Sequence, residues 1–184
     1  MAETIIQVAL PELHVTWLCV TLLSVLYFIY CSEMWNQLDA LTGLLNQNSY
    51  LKQTGGVRCK GGVMVVFDVD DFKQINDRYG HIQGDLCLAG IAECIKKSYA
   101  NFGYCYRIGG DEFCVLLKNG GNEGRCKQEF LQRLQEKRGE IAFLPTVSYG
   151  SAPFSGEDIV KVKDRADQDM YQYKKERKNR KRLS

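Results

Sequence analysis

Residues 107–113 read Arg107-Ile108-Gly109-Gly110-Asp111-Glu112-Phe113. Tyr104-Cys105-Tyr106 precedes them and Cys114-Val115-Leu116-Leu117 follows. Both flanks are rich in aromatic and β-branched residues, so 104–117 is expected to be a β-hairpin with glycines in its turn. Glycine admits positive φ and lets another backbone or a ligand approach closely. Two adjacent carboxylates at such a tip repel each other and gain little from folding alone. A bound cation removes that conflict.

The partner for those acids lies upstream, in Val63-Met64-Val65-Val66-Phe67-Asp68-Val69-Asp70-Asp71-Phe72-Lys73-Gln74-Ile75-Asn76-Asp77. The apolar run from Val63 to Phe67 predicts a buried strand, 63–69. It delivers Asp68 to its end, with Asp70 and Asp71 just beyond. Acids at a strand end and acids in a neighbouring hairpin turn can converge on one magnesium site, because magnesium takes a few carboxylate oxygens plus substrate phosphates. Two such ions clamp the attacking and leaving oxygens of a phosphoryl or nucleotidyl transfer. Surface acids that cap a helix or turn are the plainer reading, and that reading suits Asp70 and Asp71 better than Asp68.

These segments, with others in a fixed order, resemble the GGDEF domain of the diguanylate cyclases. Asp39-Ala40-Leu41-Thr42-Gly43-Leu44-Leu45-Asn46 resembles the family's opening, and Phe67 to Asp77 its metal strand and following helix. Gly80-His81-Ile82-Gln83-Gly84-Asp85 resembles its nucleobase loop, and residues 107–113 its signature. Thr146 to Gly150 and Ala166 to Lys174 resemble its closing strand and last helix. The resemblance covers roughly residue 38 to the end. It implies an α+β fold like the palm of nucleotide cyclases and polymerases, a central, mostly antiparallel sheet flanked by helices.

The resemblance also implies roles. Asp68 and Asp111, with the Val69 carbonyl, would hold Mg²⁺ or Mn²⁺. Glu112 would join Asp111 in catalysis, either at a second metal or in deprotonating the attacking hydroxyl. Asn76 and Asp85 resemble the guanine readers: one carboxylate accepts guanine's N1–H and N2–H₂ together, a pair adenine lacks. The plainer reading of Asp85 is a cap on the helix that begins near it. Lys73 and Lys174 resemble the triphosphate lysines, for which a mobile point charge is suited; otherwise they are solvated. Arg177-Lys178-Asn179 stands where the family carries Gly-Arg-Asn, so Lys178 keeps the phosphate-binding charge without the bidentate fork.

Composition narrows the alternatives. With 184 residues the chain has room for one domain and a small attachment. The net charge of +2 hides a basic tail, Lys174 to Arg182. Cations suit a helix C-terminus, so the tail is expected to be a solvated helix end and no nucleic-acid partner is expected. The eight cysteines form no Cys-x-x-Cys pair and have no histidine at ligand spacing, which argues against zinc and disulfide scaffolds and for reduced thiols in the cytosol. Neither His14 nor His81 has a nucleophile partner, so histidine-based catalysis is not expected.

From Leu13 to Ser32 the chain has no Asp, Glu, Lys or Arg. About 20 such residues span a bilayer, with Trp17, Tyr27 and Tyr30 suited to its interfaces. A signalling helix buried against a partner is the alternative. The first Lys or Arg is Lys52, after the span, which favours a cytoplasmic position for the following domain. Residues 1–37 are therefore expected to form a membrane segment and 38–184 the GGDEF domain.

Within the domain we expect helices at about 47–53, 71–79, 85–100, 125–137 and 156–178, a glycine-rich turn at 55–62 and a loop at 80–84. A polar loop is expected at 118–124 and a strand near 142–150. Leu86, Leu88, Ala89, Ile91, Ala92 and Ile95 are expected to form a core-facing stripe. The function implied is condensation of two GTP into cyclic di-GMP by a homodimer. The alternatives are a degenerate module that binds GTP and regulates a partner without turnover, and a palm domain acting on another nucleotide.

Many members of the family bind their product at an Arg-x-x-Asp site upstream of the signature. Here that window reads Ala100-Asn101-Phe102-Gly103. Without an arginine fork for phosphate, cyclic di-GMP is expected to cause little noncompetitive inhibition. Tight inhibition that disappears when residues 99–103 are altered would contradict this.

Overall fold

The computed structural model describes residues 11–55 and 61–183. Cys59 and most of the 55–62 turn lie outside them. The chain divides into two units, one ending at Gln37 and the other beginning at Leu38.

The described residues of the first unit contain helix α1 (Pro11–Trp35). Proline is at its first position, where the missing N–H is not needed. Residues Val15–Glu33 are long and apolar enough to cross a membrane, by length and composition. None of them is buried within the unit, and all but Cys31 are exposed. Thr21 hides its hydroxyl by donating to the Trp17 carbonyl at 2.8 Å.

The second unit contains α2 (Gln47–Thr54), β1 (Gly62–Val69), α3 (Phe72–Tyr79), α4 (His81–Tyr99), β2 (Gly103–Arg107) and β3 (Glu112–Leu117). A 3₁₀ turn (Gly120–Asn122), α5 (Glu123–Glu140), β4 (Val147–Phe154) and α6 (Ile159–Leu183) follow. The sheet order is β2-β3-β1-β4, and every pairing of named strands is antiparallel. Strand β1 is apolar on both faces because it lies between two neighbours and two layers. Val63, Val65, Phe67 and Val69 enter one core with Leu88, Ile91 and Ile95 of α4 and Phe130 of α5. Met64 and Val66 enter the other with Tyr50, Tyr106, Cys114 and Val162 and Ala166 of α6. Phe67 is 1% exposed and meets Tyr99 and Phe130 edge-on at 5.7 and 5.1 Å. Its truncation to alanine would cost about 3–5 kcal/mol.

Several expected boundaries move. The loop expected at 80–84 is already helical: Gly80, at φ 87°, separates α3 from α4, and Gly84 is buried inside α4. Leu86 is 47% exposed and leaves the stripe, while Cys87 and Cys94 are buried in it. The strand expected from 142 begins at Val147, because a turn closes from the Leu144 N–H to the Ile141 carbonyl and Pro145 has no N–H for a ladder. Helix α5 starts at Glu123, two residues before its expected start and directly after the 3₁₀ turn that lies within the expected polar loop, and α6 runs to Leu183. The described cysteines are all free, five of them buried.

The segment 38–46 covers the edge of β2. The Leu45 N–H donates to the Cys105 carbonyl at 3.0 Å, and the Arg107 N–H donates to the Leu45 carbonyl at 2.8 Å. This blocks a free edge from pairing elsewhere. Asp39 anchors the segment: it accepts from the Thr42 N–H and hydroxyl at 2.9 and 2.7 Å and from Arg107 Nη1 at 3.0 Å. Burial raises the Asp39 pKa, but the Thr42 and Arg107 hydrogen bonds outweigh it and hold the carboxyl below its usual range.

A group with a lowered folded-state pKa stabilises above its unfolded pKa and loses that contribution as pH falls through the folded value. Asp39→Asn should therefore cost about 1–3 kcal/mol at neutral pH. The gap from wild type should persist down to about pH 4 and close below it. Urea midpoints measured across that range check this; a gap independent of pH would rule out the charged interaction.

Candidate active site

The hairpin delivers its two acids differently from expectation. Neither Gly109 nor Gly110 has positive φ. What their missing Cβ supplies is room. A Cβ on Gly109 would stand 3.2 Å from Glu112 Cβ and Oε2, whereas Gly110 faces open space. The turn is held instead by Arg107, whose Nη2 donates to the Gly110 carbonyl at 2.7 Å while Nη1 holds Asp39. The Ile108 N–H donates to the Glu112 carbonyl at 3.0 Å and closes the hairpin.

Pairing of β1 with β3 sets Asp68 opposite Glu112. On the other side Asp68 is opposite Ser148. The Val69 N–H donates to the Asp111 carbonyl at 3.2 Å, so the hairpin tip is tied to the end of β1. Asp68 shares the strand parity of Met64 and Val66, whose side chains enter the α6 core. Helix α6 crosses close above: a Cβ on Gly150 would lie 2.7 Å from Met170 Cα. That crossing brings Lys174 to Asp68, with Nζ 2.5 Å from Oδ2. Lys163, ion-paired with Asp167 at 2.8 Å, lies near enough to Glu112 to feel its charge.

Asp70 corrects the sequence expectation of a surface acid. It is 5% exposed. Its Oδ1 accepts from the Ser148 hydroxyl at 2.8 Å, and its Oδ2 accepts from the Thr146 hydroxyl at 2.9 Å and Arg177 Nη2 at 2.6 Å. Burial raises its pKa, but the Ser148, Thr146 and Arg177 hydrogen bonds more than reverse that and keep it ionised. The available clue was Thr146 and Ser148, two residues apart and so on one face of a strand. Asp71 is exposed at the N-cap of α3, in the left-handed region at φ 55°, and its side chain makes no cap hydrogen bond.

The base-reading candidates come from α3 and α4. Asn76 Oδ1 is buried and, among the described residues, has no hydrogen-bond donor. It rests on Gly84, where a Cβ would overlap it and would also lie 3.3 Å from the Phe72 ring. Asp85 follows Gly84 in the chain and is exposed. Asp85 does not cap its helix, since the N-cap is Gly80 and no side chain bonds there. Lys73 is exposed on the first turn of α3. Lys178 lies on α6, but its side chain is outside the described residues.

The Asp68, Asp111 and Glu112 carboxylates and the Val69 carbonyl could supply oxygens to a divalent ion. These are hard oxygens, the chemistry magnesium takes. Among the described residues no three acidic, histidine or cysteine side chains are already gathered as a ligand cluster. Instead, the Lys174 ammonium neutralises Asp68. The residues fit the ion by donor type.

The family model for the diguanylate cyclase GGDEF domain matches residues 36–180. The chain is 30% identical over 151 residues to the probable diguanylate cyclase DgcJ of Escherichia coli, spanning 77% of this chain and 30% of that protein. It is 32% identical over 154 residues to diguanylate cyclase DgcS of Shewanella oneidensis, spanning 79% and 52%. The chain thus spans about half the length, or less, of these curated relatives. Among solved structures, the GGDEF domain of DgcB from Caulobacter crescentus, in complex with c-di-GMP, aligns at 26% identity and TM-score 0.58 over 76% of this chain and 90% of that one. The coiled coil and GGDEF domain of the same protein aligns at TM-score 0.74 and 22% identity over 90% and 95%, a likeness of fold. The chain belongs to the GGDEF family of diguanylate cyclases.

Proposed function

We propose that this chain is a diguanylate cyclase that condenses two GTP into cyclic di-GMP and two pyrophosphates. The observation that carries the base specificity is the buried, donorless Asn76 Oδ1 beside Gly84. A buried acceptor without a donor costs about 1–3 kcal/mol. Guanine brings N2–H₂ and N1–H donors, and Asp85, one residue from Gly84, supplies a carboxylate for the same edge. Adenine offers no such pair there.

The charged residues fit the rest of the substrate. Lys73, Lys174 and Lys178 would take triphosphate oxygens, and Asp68, Asp111, Glu112 and the Val69 carbonyl would hold Mg²⁺ or Mn²⁺. The metal, when bound, neutralises the charge that develops at the phosphate. Glu112, exposed at the start of β3, would accept the proton of the attacking 3′-hydroxyl or help hold the second ion. Each 3′-oxygen then bonds to the other nucleotide's α-phosphorus as pyrophosphate leaves.

On this reading one domain has one set of base readers and one set of metal-holding acids, hence room for one GTP. Two domains facing each other in a two-fold homodimer would place each 3′-hydroxyl in line with the other's α-phosphate. Residues 1–37, through α1, would anchor the chain to a membrane as a single span, with domain 38–184 in the cytoplasm. Confinement to a membrane raises the local concentration of the partners.

Incubation of purified protein with GTP and Mg²⁺, with products resolved by mass spectrometry, tests the activity. Asp68→Asn and Asp111→Asn should each lower turnover about 10²-fold or more, and Glu112→Gln should lose turnover while sparing GTP binding. Full activity in Asp111→Asn would overturn the metal assignment. GTP binding without product would identify the regulatory alternative.

Gly84→Ala tests base recognition separately. In a helix interior alanine is normally favoured over glycine by about 1 kcal/mol, yet here its methyl group must displace the Asn76 amide. The expected result is retained circular dichroism with GTP affinity at least about tenfold weaker, the equivalent of 1.4 kcal/mol. Unchanged affinity would separate Asn76 from the base.

A further inference from the structure

Helix α6 brings two cations to one buried acid. Lys174 Nζ is 2.5 Å from Asp68 Oδ2 and 3.3 Å from Asp70 Oδ1. Arg177, three residues on, directs Nη2 to Asp70 Oδ2 at 2.6 Å and to the Thr146 hydroxyl, and Nη1 to the Val147 carbonyl at 3.3 Å. Among the described residues these are the two cations paired with Asp70. The Ser148 and Thr146 hydroxyls add dipoles but no countercharge.

A buried carboxylate left without a countercharge recruits whatever cation lies within reach. Were Arg177 absent, that cation would be Lys174, whose ammonium is already shared between Asp68 and Asp70. It would shift from the partly exposed Asp68 toward the buried Asp70 and away from any incoming phosphate. Arg177 suits the task because its planar fork can serve Asp70, the Thr146 hydroxyl and the Val147 carbonyl together, which a lysine ammonium does less well.

We propose that Arg177 is a positioning residue: by neutralising Asp70, it keeps the Lys174 ammonium at Asp68 and available to triphosphate oxygens. The proposal rests on reading Lys174 as a triphosphate-binding lysine. It acts on substrate binding, so loss of Arg177 raises KM with little change in kcat.

The test uses the full chain in detergent micelles and calorimetric binding of a GTP analogue with a methylene bridge between the α- and β-phosphates, in the presence of Mn²⁺. Arg177→Gln is expected to weaken binding about tenfold and Arg177→Lys, which keeps the charge, about threefold or less. Adding Asp70→Asn to Arg177→Gln should bring affinity back to within about twofold of wild type, because a neutral side chain no longer captures Lys174. A staple that merely holds α6 in place predicts the opposite, a double variant no better than the single one, and that result overturns the proposal. So does wild-type affinity in Arg177→Gln. If Arg177→Gln alone does not fold by thermal unfolding, the Asp70→Asn background decides: adding Arg177→Gln there should leave affinity unchanged, and a further loss refutes the proposal. Lys174→Met separates the two levels of inference. Undiminished binding in that variant removes Lys174 from the triphosphate site and with it the reading on which this proposal stands, while weakened binding together with an unaffected Arg177→Gln rejects the role of Arg177 alone.

Discussion

The antiparallel register of β1 against β3 is the constraint on which the remainder depends. Val65 stands opposite Val115, Phe67 opposite Phe113 and Asp68 opposite Glu112. Side chains alternate across a sheet, so a slip of one residue would move every one of them to the other face. It would put Phe67 under α6 and send Asp68 into the apolar layer beneath α4 and α5. The cores on both faces resist that slip, because odd and even residues of β1 are each buried against different partners. Packing far from the acids therefore fixes which face they occupy.

The same face must also admit α6. Gly150 leaves no room for a side chain where Ala166 and Met170 cross, and this close passage lays α6 directly against β4. Beyond it, Lys174 and Arg177 arrive over the ends of β1 and β4. Asp70 is the fixed point they meet. Its carboxylate remains ionised in a buried place because two hydroxyls and a guanidinium hydrogen-bond it. A buried acid supplied in this way orients its partners more than it adds stability, since desolvation offsets much of the attraction.

A second cation–acid contact fixes the other end of the site. Arg107 bridges the Gly110 carbonyl and Asp39, so the signature hairpin is joined to the segment that seals the edge of β2. The turn thus has its shape without left-handed glycines. The two glycines leave space at the tip, one occupied by Glu112 and the other open.

Much of this was determined by the sequence alone. The apolar run at 63–67 and the β-rich flanks of the Gly-Gly turn specify strands, because period and turn chemistry act locally. The order of the motifs carries the resemblance to the family, and that resemblance singles out Asp68, Asp111, Glu112, Asn76 and Asp85 as candidates. Only the tertiary structure decided the partnerships. Asp70 reads as a surface acid until Thr146 and Ser148, more than 70 residues later, close over it. Gly80–Gly84 reads as a loop until Gly84 is seen buried against Asn76, where a side chain would not fit. Lys174 reads as a free phosphate lysine until it is found on Asp68. Burial and charge pairing depend on segments remote in the chain, and no local pattern of residues encodes that distance.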